Sequence, residues 1–183
     1  MVGLRKVTHV AFLRAINVGG RSIVKMNDLQ RAFTTAGAEN VRTVIASGNV
    51  IFDAPSALGP IRDRILRNVK SLIGTDPVMV FRTSRYLGDL VSAAPFGALV
   101  TDRTLKLYVA FLAGAPTRKT AFPLAIPKEM LEVRGLHGRD ALIVSRRKPN
   151  GFYGFPGDWT ERELGVASTA RNWSTVTRIV ASD

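Results

Sequence analysis

Four short segments of the chain place polar and basic side chains beside residues that tolerate unusual backbone angles. The first runs Arg14-Ala15-Ile16-Asn17-Val18-Gly19-Gly20-Arg21 and continues to Lys25. A glycine loop between a strand and a helix exposes backbone amides near the helix's positive end, which favours phosphate or carboxylate. It lacks the Lys-Ser/Thr ending of a phosphate-binding P-loop and the third glycine of a dinucleotide fingerprint, so a tight connection explains Gly19 and Gly20 at least as well. The second segment is Ser47-Gly48-Asn49, for which a hairpin turn is a sufficient explanation. The third is Thr169-Ala170-Arg171-Asn172-Trp173-Ser174-Thr175. Ser168 or Thr169 suits the cap of a final helix, which leaves Arg171 in a first turn where a cation opposes the helix dipole by roughly 0.3 to 1 kcal/mol. An internal carboxylate and an external anion are equally good reasons for it to be there. The fourth is Arg146-Arg147-Lys148-Pro149-Asn150-Gly151 followed by Phe152, Tyr153 and Phe155. Basic residues interleaved with aromatics can hold a nucleic-acid backbone and stack on bases. The same residues also serve an exposed, soluble loop.

Sharper enzyme signatures are missing. No G-x-S-x-G elbow, H-E-x-x-H helix or H-x-E with C-x-x-C set occurs. Glu161 and Glu163 lie two apart and would not share a helix face, so they make a poor acid/base pair. With no cysteine there is no disulfide, thiolate nucleophile or thiolate metal site, and two histidines leave little for a transition metal. No metal or cofactor is expected on these grounds.

The formal charge of +12 favours attraction to polyanions, whose non-specific binding is mostly counterion release. The excess is spread over both halves of the chain. A solvated surface accounts for it as readily. The apolar fraction of 46% lies in the globular range, no run reaches the roughly 18 to 20 apolar residues that cross a bilayer, and no secretory leader pattern opens the chain. A cytoplasmic protein without membrane contact is the expectation. Oligomeric state stays open.

These segments must be positioned by regular elements. Val7 to Ile16 reads as a strand that ends at the glycine pair. Asn27 suits an N-cap, Leu29 and Phe33 recur at helical spacing, and Gly37 offers a left-handed exit. Val41 to Ala46 and Asn49 to Asp53 flank the Ser47-Gly48-Asn49 turn as a hairpin. Pro60 opens a helix whose apolar stripe runs from Ile61 to Ile73 and stops at Gly74, and Pro77 to Arg82 is a further strand. The order is β-α-β-β-α-β, that of a ferredoxin-like (split βαβ) unit. Thr83 caps a third helix carrying Leu87, Leu90 and Val91, which Pro95 and Gly97 end.

Leu105 to Leu112 starts again, and its Val109-Ala110-Phe111-Leu112 repeats Val10-Ala11-Phe12-Leu13 letter for letter. A proline-broken helical stretch from Thr117 to Pro123, strands at Met130 to Leu136 and Ala141 to Ser145, and closing helices complete a degenerate second copy. The expected architecture is therefore α+β: two ferredoxin-like (split βαβ) subdomains in tandem, residues 1–97 and 98–183, each an antiparallel sheet with helices on one face. Both faces of the first strand are apolar, so it should be covered on both sides, by the other half or by a second subunit.

Phe12-Leu13-Arg14-Ala15-Ile16-Asn17-Val18-Gly19-Gly20, Ser47-Gly48-Asn49-Val50 and Thr169-Ala170-Arg171-Asn172-Trp173-Ser174-Thr175-Val176 together resemble the bacterial domain-of-unknown-function family 1697, with its F-L-R-G-I-N-V-G-G, S-G-N-V and T-x-R-N-W-x-T-V patterns. Ala15 stands where the family has glycine, and Gly154 to Glu163 departs from the family's short connection. The resemblance implies a two-subdomain, ferredoxin-related α+β fold and no particular activity.

The residues lead first to binding of an anionic ligand, nucleic acid before others, through Arg14, Asn17, Gly19, Gly20, Lys25, Ser47, Asn49, Arg171 and Asn172. An enzyme acting on a small phosphorylated or carboxylated substrate is the alternative. In a third reading the motifs are architecture alone.

Overall fold

The computed structural model describes residues 6–14 and 24–183. Residues up to Leu87 together with Ser182–Asp183 form one unit and Gly88–Ala181 a second, the division falling within a helix.

In the first unit, strand β1 (Lys6–Leu13) leads to helix α1 (Met26–Thr35), the β2–β3 hairpin (Glu39–Thr43 and Asn49–Pro55), helix α2 (Gly59–Ile73) and strand β4 (Met79–Thr83). The sheet is antiparallel in the order β2-β3-β1-β4. Alternate residues of the central strands, Ala11, Leu13, Val50 and Phe52, face Leu29 and Phe33 of α1 and Ile65 and Val69 of α2 in one buried cluster. The period of two along the strands thus meets the helical stripe. Val10 and Phe12, on the other face of β1, are also fully buried. Helix α1 begins slightly earlier than Asn27 implies, with Lys25 as its N-cap and no side chain closing it; Asp28 in the first turn complements the dipole instead. Helix α2 opens with proline and ends at Gly74, whose φ of 78° is the left-handed exit. Thr83 Oγ1 accepts from the Tyr86 amide at 3.2 Å and caps α3 (Ser84–Ser92), in which Leu87 and Leu90 are buried.

The second unit contains β5 (Leu105–Leu112), β6 (Leu124–Ile126), β7 (Leu131–His137), β8 (Asp140–Arg146), α4 (Asp158–Leu164), β9 (Ser168–Asn172) and α5 (Trp173–Ala181). Its antiparallel sheet has the order β6-β7-β8-β5-β9. Four of these strands, β7-β8-β5-β9, keep the order of the first sheet, and the two Val-Ala-Phe-Leu runs end the two central strands β1 and β5. Two expectations fail. Residues 117–123 form no helix, because Pro116 and Pro123 bracket a stretch too short to nucleate and each lacks an amide donor, and β6 follows instead. Residues 168–172 are a strand and not the entrance of the last helix. Ser168 and Thr169 pair with Leu112 and Phe111, and this pairing along β5 outweighs the local capping preference. Helix α5 starts only at Trp173 and buries Val176 and Ile179.

Candidate functional site

At the C-terminal end of β1, Phe12 pairs with Asn49, the Leu13 amide donates to the Gly48 carbonyl at 2.8 Å, and the Arg14 amide donates to the Val78 carbonyl at 2.9 Å. Arg14 therefore leaves the sheet beside the hairpin turn, so the start of the first segment and the second segment come together. The turn is held from within. Asn49 is fully buried, and its Nδ2 donates to the Val44 carbonyl at 2.9 Å and to Ser47 Oγ at 3.0 Å. Ile45 and Gly48 take the left-handed angles, φ 60° and 78°. Asn49 thus acts as an internal brace, and half-buried Ser47 is its partner. Lys25 is exposed at the start of α1. Asn17, Gly19 and Gly20 lie outside the described residues.

Arg171 belongs to the second unit and sits in β9, opposite Val109 of β5. Only 8% of it is exposed. Its Nη1 donates to Thr169 Oγ1 at 2.8 Å and to the Ala170 carbonyl at 2.9 Å. Burial lowers its pKa to about 10, so it stays cationic at neutral pH. The dipole argument for an external anion at Arg171 falls with the helix that motivated it: this guanidinium is buried within a sheet. Asn172, the next residue, is exposed at the end of β9.

Strand β9 pairs with β5 only from Tyr108 onward, because the chain turns into α5 after Asn172. Among the described residues the β5 edge at Leu105–Leu107 has no strand partner on that side. A pocket of about 180 Å³ forms there, walled by Leu99, Asp102, Lys106, Asn172, Trp173 and Ser174 among others. On the other side of β5, Leu105 pairs with Arg146 and Lys106 with Ser145. Two strand spacings and a three-residue offset put the backbones of Arg146 and Asn172 about 14 Å apart.

The basic-aromatic segment folds over this same end. Ser145 Oγ, fully buried, donates to the Gly154 carbonyl at 2.9 Å, and a β-bridge joins Arg147 to Tyr153. Tyr153 donates its hydroxyl to the Thr104 carbonyl at 3.1 Å, and Lys106 Nζ lies 5.5 Å from the centre of its ring. Phe155 meets Tyr108 edge to face at 5.6 Å. Lys148 is paired with Glu129 at 2.7 Å. Among the described residues neither Lys106 nor Arg147 is in an ion pair. Asp102 is the acidic member of the region; hydrogen bonds from Thr104 hold its carboxyl below the usual range, and the charge of Arg146 adds to this. Burial pushes the Tyr108 phenol up. Sequence reasoning flagged residues 146–155 but missed Lys106, whose signal was a lone charge at one position of an otherwise apolar strand. Among the described residues no three metal-ligating side chains gather, and no helix is long and apolar enough to cross a membrane.

The chain is similar over 97% of its length to a solved conserved bacterial protein of Streptococcus pneumoniae, with 98% of that chain covered, a TM-score of 0.61 and 18% identity, which bears on the fold alone. No curated protein matches it. A family model matches residues 7–141, so the first unit and the second up to the start of β8 carry the match, and the chain belongs to the family described as protein of unknown function, DUF1697.

Proposed function

We propose that this protein binds anionic ligands, nucleic acid first, at the strand-end surface of its second unit. The observation that carries the reading is the set of cations outside ion pairs there. Lys106 and Arg147 come from different elements, and Asn172, opposite Tyr108 on β9, shares the Lys106 face of the sheet. A +12 chain supplies the long-range attraction, and these side chains supply contacts to phosphate. Arg14 and Lys25 add positive charge at the hairpin end of the first unit. Arg171 and Asn49 serve this reading as architecture, since both are buried. The test is a salt titration of oligonucleotide affinity: the logarithm of the binding constant should fall linearly with that of salt, and Arg147→Ala should reduce the slope by about 1. Association that ignores salt would reject the reading.

One observation favours a second reading. The pocket of about 180 Å³ beside Asn172 lies below the size range of drug-sized ligand sites, so it would take only a small phosphorylated or carboxylated metabolite, held by Lys106. A thermal-shift panel of such compounds tests it, because a ligand at about 100 times its dissociation constant stabilises by roughly 2.7 kcal/mol.

A further inference from the structure

The geometry points to single-stranded nucleic acid as the ligand of this surface, with Phe152 and Phe155 as stacking platforms for its bases and Lys106 and Arg147 as phosphate contacts. The inference rests on the polyanion reading above and narrows it. Four large hydrophobic residues are strongly exposed among those described: Ile45, Val100, Phe152 and Phe155. Three of the four belong to this end of the second unit, since Val100 lines the pocket and the two phenylalanines lie on the adjoining loop. Phe152 is 73% exposed and Phe155 58%. Burial is the ordinary fate of such rings, so two of them exposed three residues apart on one loop mark a surface that meets another molecule.

The loop that carries them is braced rather than loose. The Lys148 amide donates to the Phe152 carbonyl at 2.7 Å, the Gly151 amide to the Lys148 carbonyl at 2.9 Å, and the Phe152 amide to Asn150 Oδ1 at 3.1 Å. Arg147 Nε donates to the Gly151 carbonyl at 2.9 Å, which fixes a guanidinium beside the Phe152 turn. Exposed rings on a pre-ordered turn lose little entropy on binding. Three residues of chain span at most about 10 Å, so both rings reach one short stretch of strand. An apolar protein partner would use the rings but not the neighbouring cations. A duplex would use the cations but hides the faces of its bases. A single strand offers both phosphates and open π-faces.

The experiment is fluorescence anisotropy of the full chain with labelled oligo-U and oligo-dT of about 12 nucleotides, inside the range of about 4 to 16 that one binding fold covers, and with a duplex of equal length at matched salt. Single strands should bind more tightly than the duplex. Phe152→Ala should weaken single-strand binding roughly fivefold to 150-fold while leaving the salt slope unchanged. Phe155→Leu, which keeps an apolar contact for Tyr108, should act in the same direction, and Phe152→Trp should restore or exceed the original affinity. Equal affinity for duplex and single strand, or indifference to both phenylalanines, overturns this inference while Arg147→Ala still lowering the salt slope leaves the polyanion reading standing. No association with any of the three probes overturns both.

Discussion

Replacing Gly154 by alanine tests how the aromatic loop is seated. A Cβ at Gly154 would lie 2.1 Å from the carbonyl oxygen of Glu129, and 3.1 Å from both the Glu129 carbonyl carbon and Leu131 Cγ. Ordinary carbon–oxygen contacts begin near 3.3 Å, so the loop or the entrance of β7 must move by more than 1 Å. The obstacle is backbone and has no rotamer through which to yield. Overpacking of this kind costs about 1 to 3 kcal/mol, and the upper end applies here. For a chain of this length that corresponds to a fall in Tm of roughly 6 to 12 °C. Movement would also strain the Ser145 bond to the Gly154 carbonyl and shift Tyr153 and Phe155, the two residues that flank this glycine. Urea unfolding followed by tryptophan emission is the suitable assay. Both tryptophans, Trp159 and Trp173, lie in the second unit, and Trp159 Nε1 donates to the Phe155 carbonyl at 3.3 Å. Gly88 is the control, since it lies inside α3 with nothing within 4 Å of its would-be Cβ. Gly88→Ala should stabilise by about 0.4 to 1 kcal/mol. A Gly154→Ala stability within about 0.5 kcal/mol of the parent would refute the reasoning, that margin being the usual effect of a surface change.

Stability should fall as pH drops below about 6.5. His9 is buried and stacked on Phe52, its Nε2 donates to the Pro55 carbonyl at 3.1 Å, and burial lowers its pKa despite the opposing influence of that bond and of Asp53. The unfolded chain then takes up the proton first, so this contribution is complete above the ordinary value of 6.5 and is lost on acidification with a slope of at most about 1.4 kcal/mol per pH unit. Denaturation midpoints of His9→Gln between pH 7 and pH 5 should be flatter than those of the parent. Thr160→Val should raise unfolding stability in urea by about 1 kcal/mol or more, because Thr160 Oγ1 is buried without a hydrogen-bond partner among the described residues; a loss of stability would contradict that. Arg171→Met removes the bonds that Nη1 makes to Thr169 and Ala170, so it should lower stability in urea and leave the salt slope of nucleic-acid binding unchanged.

The first unit was legible because its signals agree. The apolar run of β1, the hairpin around Ser47-Gly48-Asn49, the stripe of α2 between Pro60 and Gly74, and the Thr83 cap each point to one local structure, and packing did not overrule them. In the second unit local and long-range preferences conflict. Thr169 to Asn172 has the composition of a helix entrance, yet β5 offers Thr169 and Arg171 an edge at Phe111 and Val109, and the strand forms. The same conflict misled the reading of Arg171, whose burial follows from β9 and is invisible in its neighbours along the chain. Asn49 reads as a generic turn residue until its amide is seen closing the loop onto Val44. The surface around Lys106 depends on where β9 stops, a matter of register that spacing does not encode.

Hydrogen exchange of the full chain with and without a saturating single-stranded oligonucleotide tests the location of the site most directly. Protection should concentrate at residues 105–107, 146–155 and 172–174. Protection confined to the first unit, or none in these three segments while the oligonucleotide is bound, would contradict the account.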